Sequence, residues 1–287
     1  QNYIIVHSPV TEITTEDPLD NYPVHQVNKS ITYFDGLGRP MQSIAIQGSP
    51  EKHDIITPII YDELGREVRK YLPFVDGNNG SYRPNGQIIN ANHNYIGDAE
   101  ATYSNETDNI ADDPRPYSYI MFEPSPLNRP DKEYGPGQAW APKENEQDEV
   151  SQNKFIKHQY LSNIHGVNAS QTAEAIIVWR ITENDELEKE SPVSNYIETG
   201  EYYSSNQLYV KVTLDEHENA VREYTNKEGQ VILKKVQVVK KSNPLDINLN
   251  NAEEWACTYY IYDDLNNLRL VLPPEGVKQY LSVSSQN

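Results

Sequence analysis

Residues able to do chemistry are sparse in this sequence, and their spacing excludes most familiar sites. Its His residues lie at 7, 25, 53, 93, 158, 165 and 217, and no two have the i,i+2 or i,i+4 spacing that brings two imidazoles onto one metal. There is no His-Glu-x-x-His pair, no Cys-x-x-Cys, no Gly-x-Ser-x-Gly elbow and no phosphate-binding glycine loop. Cys257 is the sole cysteine, so no intrachain disulfide forms; it lies in the apolar run Trp255-Ala256-Cys257-Thr258-Tyr259, where a buried inert thiol is expected. Asp and Glu number 43, so carboxylate pairs are inevitable, but the roughly 5–9.5 Å separation that glycoside hydrolysis requires cannot be read from spacing. A carboxylate hydrolase is therefore the weakest of the readings, and the chain is read as no enzyme. Asp76-Gly77-Asn78-Asn79-Gly80 offers alternating oxygen ligands of the kind calcium uses, yet Gln87 stands where the bidentate Glu belongs. It is read as a plain loop, with no cofactor implied and calcium kept only as a weak alternative. Trp140 and Trp179 are the candidate platforms for stacking a sugar.

What must position any such site is set by composition. A chain of 287 residues is long enough for one large β domain or two ordinary ones. The net charge of -19 argues against nucleic acid and anionic membrane as partners, because both reward clustered Lys and Arg; it reads as a solubility charge. Tyr is the outlier at 21, against 4 Phe and 2 Met. Its ring suits a pleated, half-buried surface while its hydroxyl reaches water or backbone. With 19 Pro and 14 Gly as punctuation, many strands and turns are expected and helix is scarce, the best candidate being Pro274 to Ser282. No apolar stretch approaches the roughly 20 residues that span a bilayer, so no membrane insertion is expected. Gln1 is followed directly by strand-like Tyr3-Ile4-Ile5-Val6, which fits a signal segment already removed and an extracellular or cell-surface location. Asn28-Lys29-Ser30, Asn105-Glu106-Thr107 and Asn168-Ala169-Ser170 fit the N-glycosylation pattern, relevant only in a eukaryotic secretory host.

A turn unit recurs. Ser30-Ile31-Thr32-Tyr33-Phe34 runs into Asp35-Gly36-Leu37-Gly38-Arg39-Pro40, and Pro58-Ile59-Ile60-Tyr61 into Asp62-Glu63-Leu64-Gly65-Arg66, each followed by a second β-type run. Weaker copies open at Asp215, Asn226 (with Gly229) and Asp263 (with Asn266). The first residue bonds a backbone N–H two residues on, and the fourth tolerates positive φ, as Gly38, Gly65, Gly229 and Asn266 do; Glu218 takes that place at modest strain. First positions at 35, 62, 215, 226 and 263 give no fixed period. Residues 142 to 153 read as an exposed acidic loop, and Ile176 to Ile181 as a strand paired with Leu187 to Glu190 across Glu183-Asn184-Asp185-Glu186.

Tyr33-Phe34-Asp35-Gly36-Leu37-Gly38-Arg39-Pro40 and Tyr61-Asp62-Glu63-Leu64-Gly65-Arg66 resemble the YD repeat of RHS proteins, Tyr-Asp-x-x-Gly-Arg. Phe122-Glu123-Pro124-Ser125-Pro126-Leu127-Asn128-Arg129, followed by Pro136-Gly137-Gln138-Ala139-Trp140, resembles an uncharacterised domain at the N-terminus of RHS-type proteins from Bacteroidota, and Leu270 to Val277 is similar to its exit into further repeats. The likeness covers roughly 28 to 277 and leaves 141 to 206 unanchored. It implies a large secreted chain whose repeats spiral into a β-shell enclosing or presenting a C-terminal effector, toxin or adhesin. The family's self-cleaving aspartyl core and toxin tip have no counterpart here.

The expected fold is all-β: YD-type hairpins in a twisted antiparallel meander or partial β-shell, with long loops and one short C-terminal helix. The expected organisation is a strand and linker over 1–27, a domain over 28–140 with two clear hairpins, an acidic loop and hairpin over 141–206, and degenerate hairpins over 207–287. The function expected is a non-catalytic structural or interaction module that caps or docks a β-shell. Its partner would be the remainder of its own chain or a secretion or outer-membrane complex. The alternative is a cell-surface carbohydrate-binding β module.

Overall fold

Inward-facing residues at every second position build the sheets, because successive side chains of a strand point to opposite faces. The computed structural model describes residues 2–14, 17–104, 110–142, 154–166, 173–182, 184, 186–189, 202–240 and 248–284, and side chains up to residue 280. The acidic stretch 143–153, two glycosylation patterns (at Asn105 and Asn168) and the residues Glu183 and Asp185 lie outside them. The chain divides into two compact units, residues 1–155 and 156–287. Both are antiparallel β-sheet with long loops, and the fold is mostly β with one short C-terminal helix.

In the first unit the strands are β1 (Asn2–Pro9), β2 (Val27–Phe34), β3 (Pro40–Ala45), β4 (Ile55–Ile60), β5 (Arg69–Tyr71), β6 (Phe74–Val75), β7 (Tyr117–Phe122) and β8 (Pro130–Tyr134). They form a meander in the order β1-β2-β3-β4-β5-β7-β8, with β6 pairing beside β4. The register aligns Ile31 with Ile44, Ile44 with Ile56 and Ile56 with Phe74, one fully buried cross-strand row. Between β6 and β7 the chain leaves the meander through two single-turn helices, α1 (Asn85–Ile88) and α2 (Asp98–Ala101). That excursion lays Ile88, Tyr95 and Ala99 against Tyr71, Phe74 and Tyr117.

Tyrosine behaves as its chemistry demands. Rings of Tyr71, Tyr95 and Tyr117 meet at 5.2–5.4 Å, and Phe74 meets Tyr95 edge-on at 5.3 Å. Their hydroxyls exit to backbone: Tyr33 donates to the Gly80 carbonyl at 2.7 Å, Tyr71 to His93 at 3.0 Å and Tyr95 to Leu72 at 2.6 Å. Burial pushes the Tyr71 hydroxyl up to about 12, so these groups remain donors at every physiological pH.

The second unit contains β9 (Ile156–Ser162), β10 (Trp179–Ile181), β11 (Leu187–Lys189), β12 (Tyr209–Leu214), β13 (Ala220–Thr225), β14 (Val231–Gln237), β15 (Trp255–Tyr262), β16 (Leu268–Leu272) and α3 (Pro274–Ser284). The sheet order is β9-β12-β13-β14-β15-β16, and β10 with β11 makes a separate hairpin. Val210, Tyr224, Leu233 and Tyr259 form its buried cross-strand row. β9, a strand that no signal in the sequence marks, pairs along the whole of β12, and its His158 is buried on the face opposite the Val210–Tyr224 row. Polar His158 and Gln159 hide its alternation in the sequence. α3 starts at Pro274, where a missing N–H costs nothing, and buries Val277.

Candidate functional site

The hairpin turns share one hydrogen-bond plan. In the first, the Asp35 N–H donates to the Arg39 carbonyl at 2.9 Å and the Gly38 N–H to the Asp35 carbonyl at 3.1 Å. Asp35 Oδ1 accepts the N–H groups of Leu37 and Arg39 at 2.8 and 2.9 Å, while Oδ2 accepts Arg39 Nε at 2.8 Å. Asp62 repeats this with Leu64 and Arg66, Asp215 with His217 and Asn219, and Asp263 with Leu265 and Asn267. Asn226 keeps the same two backbone bonds and donates its amide to Gln230 Oε1 at 2.6 Å. The fourth residue is left-handed every time: Gly38 at φ 78°, Gly65 at 76°, Glu218 at 64°, Gly229 at 85° and Asn266 at 65°. A register shift closes the turns at Phe34, Thr225 and Tyr262, so each of these hairpins ends in a one-residue bulge.

The fifth residue, polar in all five copies, engages the side chain of the first: as a guanidinium at Arg39 and Arg66, as an amide donor at Asn219 and Asn267, and as an acceptor at Gln230. Three further turns, not marked by the motif, are related to these. Ser49 to His53 and Asn90 to Asn94 close the same backbone ring, with Lys52 and His93 at φ 61° and 66°. Glu123 to Arg129 is a longer version with a bidentate Arg129–Glu123 pair at 2.7 Å and Asn128 at φ 52°. In the first two the only signal is a side-chain oxygen at the first position, because Lys and His do not advertise positive φ; in the third, Asn128 and Arg129 repeat the last two residues of the motif but stand two places late.

Neighbouring turns interlock through the fifth residue. The Arg39 guanidinium lies 4.5 Å over the Tyr61 ring, and the Tyr61 hydroxyl returns to the Pro40 carbonyl at 3.0 Å. Arg66 repeats the stacking over Phe122 at 4.6 Å and reaches Asn128 Oδ1 at 3.0 Å. In the second unit Gln230 reaches Asn266 Oδ1 at 3.1 Å and the Tyr262 hydroxyl donates to the Val231 carbonyl at 3.2 Å. In these three pairs the motif joins one hairpin to the next, with the aromatic before the later turn serving the earlier one.

Two predictions follow from this geometry. Gly38→Val and Gly65→Val each force a β-branched residue to positive φ and are expected to cost about 1–2 kcal/mol in denaturant unfolding. Gly65→Val should be the worse, since its new Cβ meets the Arg39 guanidinium at 2.9 Å whereas Gly38 has open space. Equal melting of both variants with wild type would show the turns are not held as described. The second concerns acid. The Arg39 N–H and guanidinium hold the Asp35 carboxyl below its usual 3.8, and Arg129 with Ser125 holds Glu123 down to about 2 from 4.5. At Asp62 burial pushes upward, but the Arg66 N–H and guanidinium prevail. A lowered folded-state value means stability present above the unfolded value and lost as pH falls through the folded one. Glu123→Gln should therefore lower the melting temperature at pH 6, and that deficit should shrink between pH 4.5 and about 2. A deficit constant with pH would sink the assignment.

A second polar cluster lies inside the second unit. Glu174, with no exposed surface, accepts the Tyr224 hydroxyl on both oxygens at 2.6 and 2.7 Å, Lys235 Nζ at 2.5 Å and Arg222 at 3.5 Å. Lys235 also donates to the Leu249 carbonyl at 2.9 Å. Burial, reinforced by Glu174, pushes the Tyr224 hydroxyl well above its ordinary value. Burial opposes the charge of Arg222, but Tyr224 and Glu174 beside it hold the guanidinium protonated. These groups satisfy one another, so the arrangement works as a cross-tie. Cys257 lines a cavity of about 220 Å³ with Lys235, Trp255 and Tyr259, and burial pushes its thiol up, which leaves a poor nucleophile.

The remaining candidates separate. Trp179 packs edge-on against Tyr259 at 5.7 Å and Tyr280 at 4.7 Å as part of the core, so its ring is no free platform. Trp140 folds over Gly135. Asp76 pairs with Arg83 at 2.5 Å. Asp215, Glu216 and His217 gather three ligand atoms within 4.8 Å, but both Asp215 oxygens already serve the turn. An aromatic platform does occur at Tyr103, which stacks on Tyr95 at 5.9 Å beside a cavity of about 400 Å³ lined by Asn90, Asn94, Glu100, Asp112 and Asp113.

No curated protein matches the chain. Residues 7–154 match the family described as Domain of unknown function (DUF6443), a span that fills the first compact unit and more than half of the sequence. The protein therefore belongs to the DUF6443 family.

Proposed function

We propose that the protein is a non-catalytic scaffold and docking module at the N-terminal end of a secreted RHS/YD-repeat protein of the Bacteroidota type. The observation that carries this reading is the interlock between turns: Arg39 on Tyr61, Arg66 on Phe122 and Gln230 on Asn266. Such a device earns nothing in an isolated hairpin and extends a sheet one hairpin at a time. It is the kind of contact that a growing β-shell wall repeats, and a module built on it would cap or start that wall. The partners in this reading are the rest of the same chain and the secretion or outer-membrane complex that handles it, with the location extracellular. The reading frame beyond the Asn287 codon tests it: further Tyr-Asp-x-x-Gly-Arg units leading to an effector support it, and a stop codon or an unrelated enzyme domain rejects it. Turnover of a polysaccharide panel, abolished by a single Asp or Glu change, would also reject it.

A carbohydrate-binding reading is favoured by one observation. The Tyr103 ring beside Asn90, Asn94, Glu100 and Asp113 pairs a stacking face with planar acceptors for sugar hydroxyls. Its test is a glycan array on wild type and Tyr103→Ala, and a signal indifferent to that change removes it.

A further inference from the structure

One cavity of the second unit gathers hydrogen-bond donors that its own walls do not pair. Lys235, Trp255, Cys257 and Tyr259 stand on one face of β14 and β15, with Lys235 directly opposite Cys257 and diagonal to Trp255. They line a cavity of about 220 Å³ whose other walls include Ile177, Leu249, Ala252 and, from α3, Val277 and Lys278. Trp255 is buried, and its Nε1 has no hydrogen-bond partner among the described residues. The Tyr259 hydroxyl accepts the Ile177 N–H at 3.3 Å, but its own proton has no acceptor among them. Lys235 uses two of its three N–H donors, on Glu174 and on the Leu249 carbonyl. The asparagine oxygens of the lining are already engaged: Asn250 Oδ1 accepts the Ala175 N–H at 2.7 Å and Asn251 Oδ1 the Glu253 N–H at 3.0 Å. Buried donors without acceptors cost free energy, so these walls complement an acceptor.

We infer that this cavity is a binding site for a small aromatic monocarboxylate. Charge selects an anion. In the cross-tie Arg222 and Lys235 share the single carboxylate of Glu174, which leaves one net positive charge. Lys278, whose pair with Glu253 at 3.3 Å is exposed and therefore weak, stands at the same cavity. The described lining thus holds two lysines and no Asp or Glu, a local reversal on a chain of net charge -19. A carboxylate accepts hydrogen bonds and donates none, so it suits the unpaired donors of Lys235, Trp255 and Tyr259; a hydroxyl or an amide would bring a further donor. Size and walls select the rest of the ligand. An apolar cavity of roughly 150 Å³ holds one benzene, so about 220 Å³ takes a ring together with its carboxylate. Ile177, Leu249 and Val277 offer that ring apolar contact, which a phosphate or sulfate ion would leave uncovered. The inference goes beyond the scaffold reading and is independent of it, because the cavity lies within the second unit and outside the family match at residues 7–154.

The test is isothermal titration calorimetry of the full chain with benzoate, benzyl alcohol, benzylamine and acetate. Benzoate should bind at one site with a Kd of about 1 mM or tighter, and each of the other three at least about tenfold more weakly. Ala252→Leu, which fills the cavity, should lose at least about tenfold in benzoate affinity while melting with the wild type. Trp255→Phe, which keeps a ring and removes the N–H, should lose about fivefold. Should Trp255→Phe fail to fold, the ligand selectivity and Ala252→Leu carry the test. Acetate binding as tightly as benzoate identifies a general anion site, and benzyl alcohol or benzylamine doing so shows that the charge is not read; each result overturns the inference. The absence of saturable benzoate binding to the wild type also overturns it, as does benzoate affinity unchanged in either folded variant.

Discussion

Lys235→Met is expected to destabilise the second unit by about 3–5 kcal/mol, the cost of leaving one member of a buried ion pair without its partner. The register explains why. Val212, Arg222, Lys235 and Cys257 form one cross-strand row beside the buried row of Tyr224, so two cations stand next to each other on the inner face. Glu174 is delivered from the segment before β10, and its carboxylate binds both cations and the Tyr224 hydroxyl. Removing Lys235 strips that carboxylate of its 2.5 Å partner and leaves the Leu249 carbonyl without its donor. Glu174→Leu alone should cost a similar amount, since two cations then face each other in the core. The double variant Glu174→Leu/Lys235→Met should be less damaging than the sum, because an apolar pair leaves fewer uncompensated charges. Guanidinium unfolding followed by tryptophan fluorescence reads the effect, as Trp179 and Trp255 both belong to this unit. A loss below about 1 kcal/mol for Lys235→Met would mean that water already reaches the pair.

The turns were legible because their chemistry is local. Asp35 and Arg39 lie four residues apart, and every bond of the ring they close falls inside that window. The antiparallel architecture and α3 were legible for the same reason: alternation, turn residues and Pro274 are each short-range signals. What escaped depends on register. Nothing near Glu174 in the sequence identifies Lys235 as its partner, and Lys235 looks like one of several surface lysines until β14 is laid beside β13. β9 escaped because its buried residue is His158. Trp179 looked available for stacking because its ring contacts, Tyr259 and Tyr280, are supplied by β15 and α3, far along the chain.

Asp54→Ala is expected to cost the first unit roughly 3 kcal/mol, since one buried and one half-buried N–H group lose a charged acceptor. Asp54 has no exposed surface; its Oδ1 accepts the Gln47 N–H at 2.9 Å and its Oδ2 the Gly80 N–H at 2.7 Å. Its own N–H donates to the Gly77 carbonyl at 2.9 Å, and its carbonyl accepts the Asp76 N–H at 3.1 Å. One side chain therefore latches the connection between β3 and β4 to the loop Asp76–Gly80, and the Gly80 carbonyl in turn receives the Tyr33 hydroxyl of the core. This is the loop whose oxygens resemble calcium ligands in the sequence. In the fold its Asp76 carboxylate is engaged by Arg83 and its backbone donors converge on Asp54, so the order a cation would bring is supplied by protein groups. Asp54→Asn should recover little, because the amide accepts one N–H and turns a donor toward the other. Hydrogen exchange provides the local readout: the Gln47 and Gly80 amides should lose protection together in both variants, while the Ile31 and Ile44 amides exchange as in wild type under native conditions. If Asp54→Ala costs less than about 1 kcal/mol and the Gly80 amide stays protected, the latch is held by the backbone bonds alone and the carboxylate is dispensable.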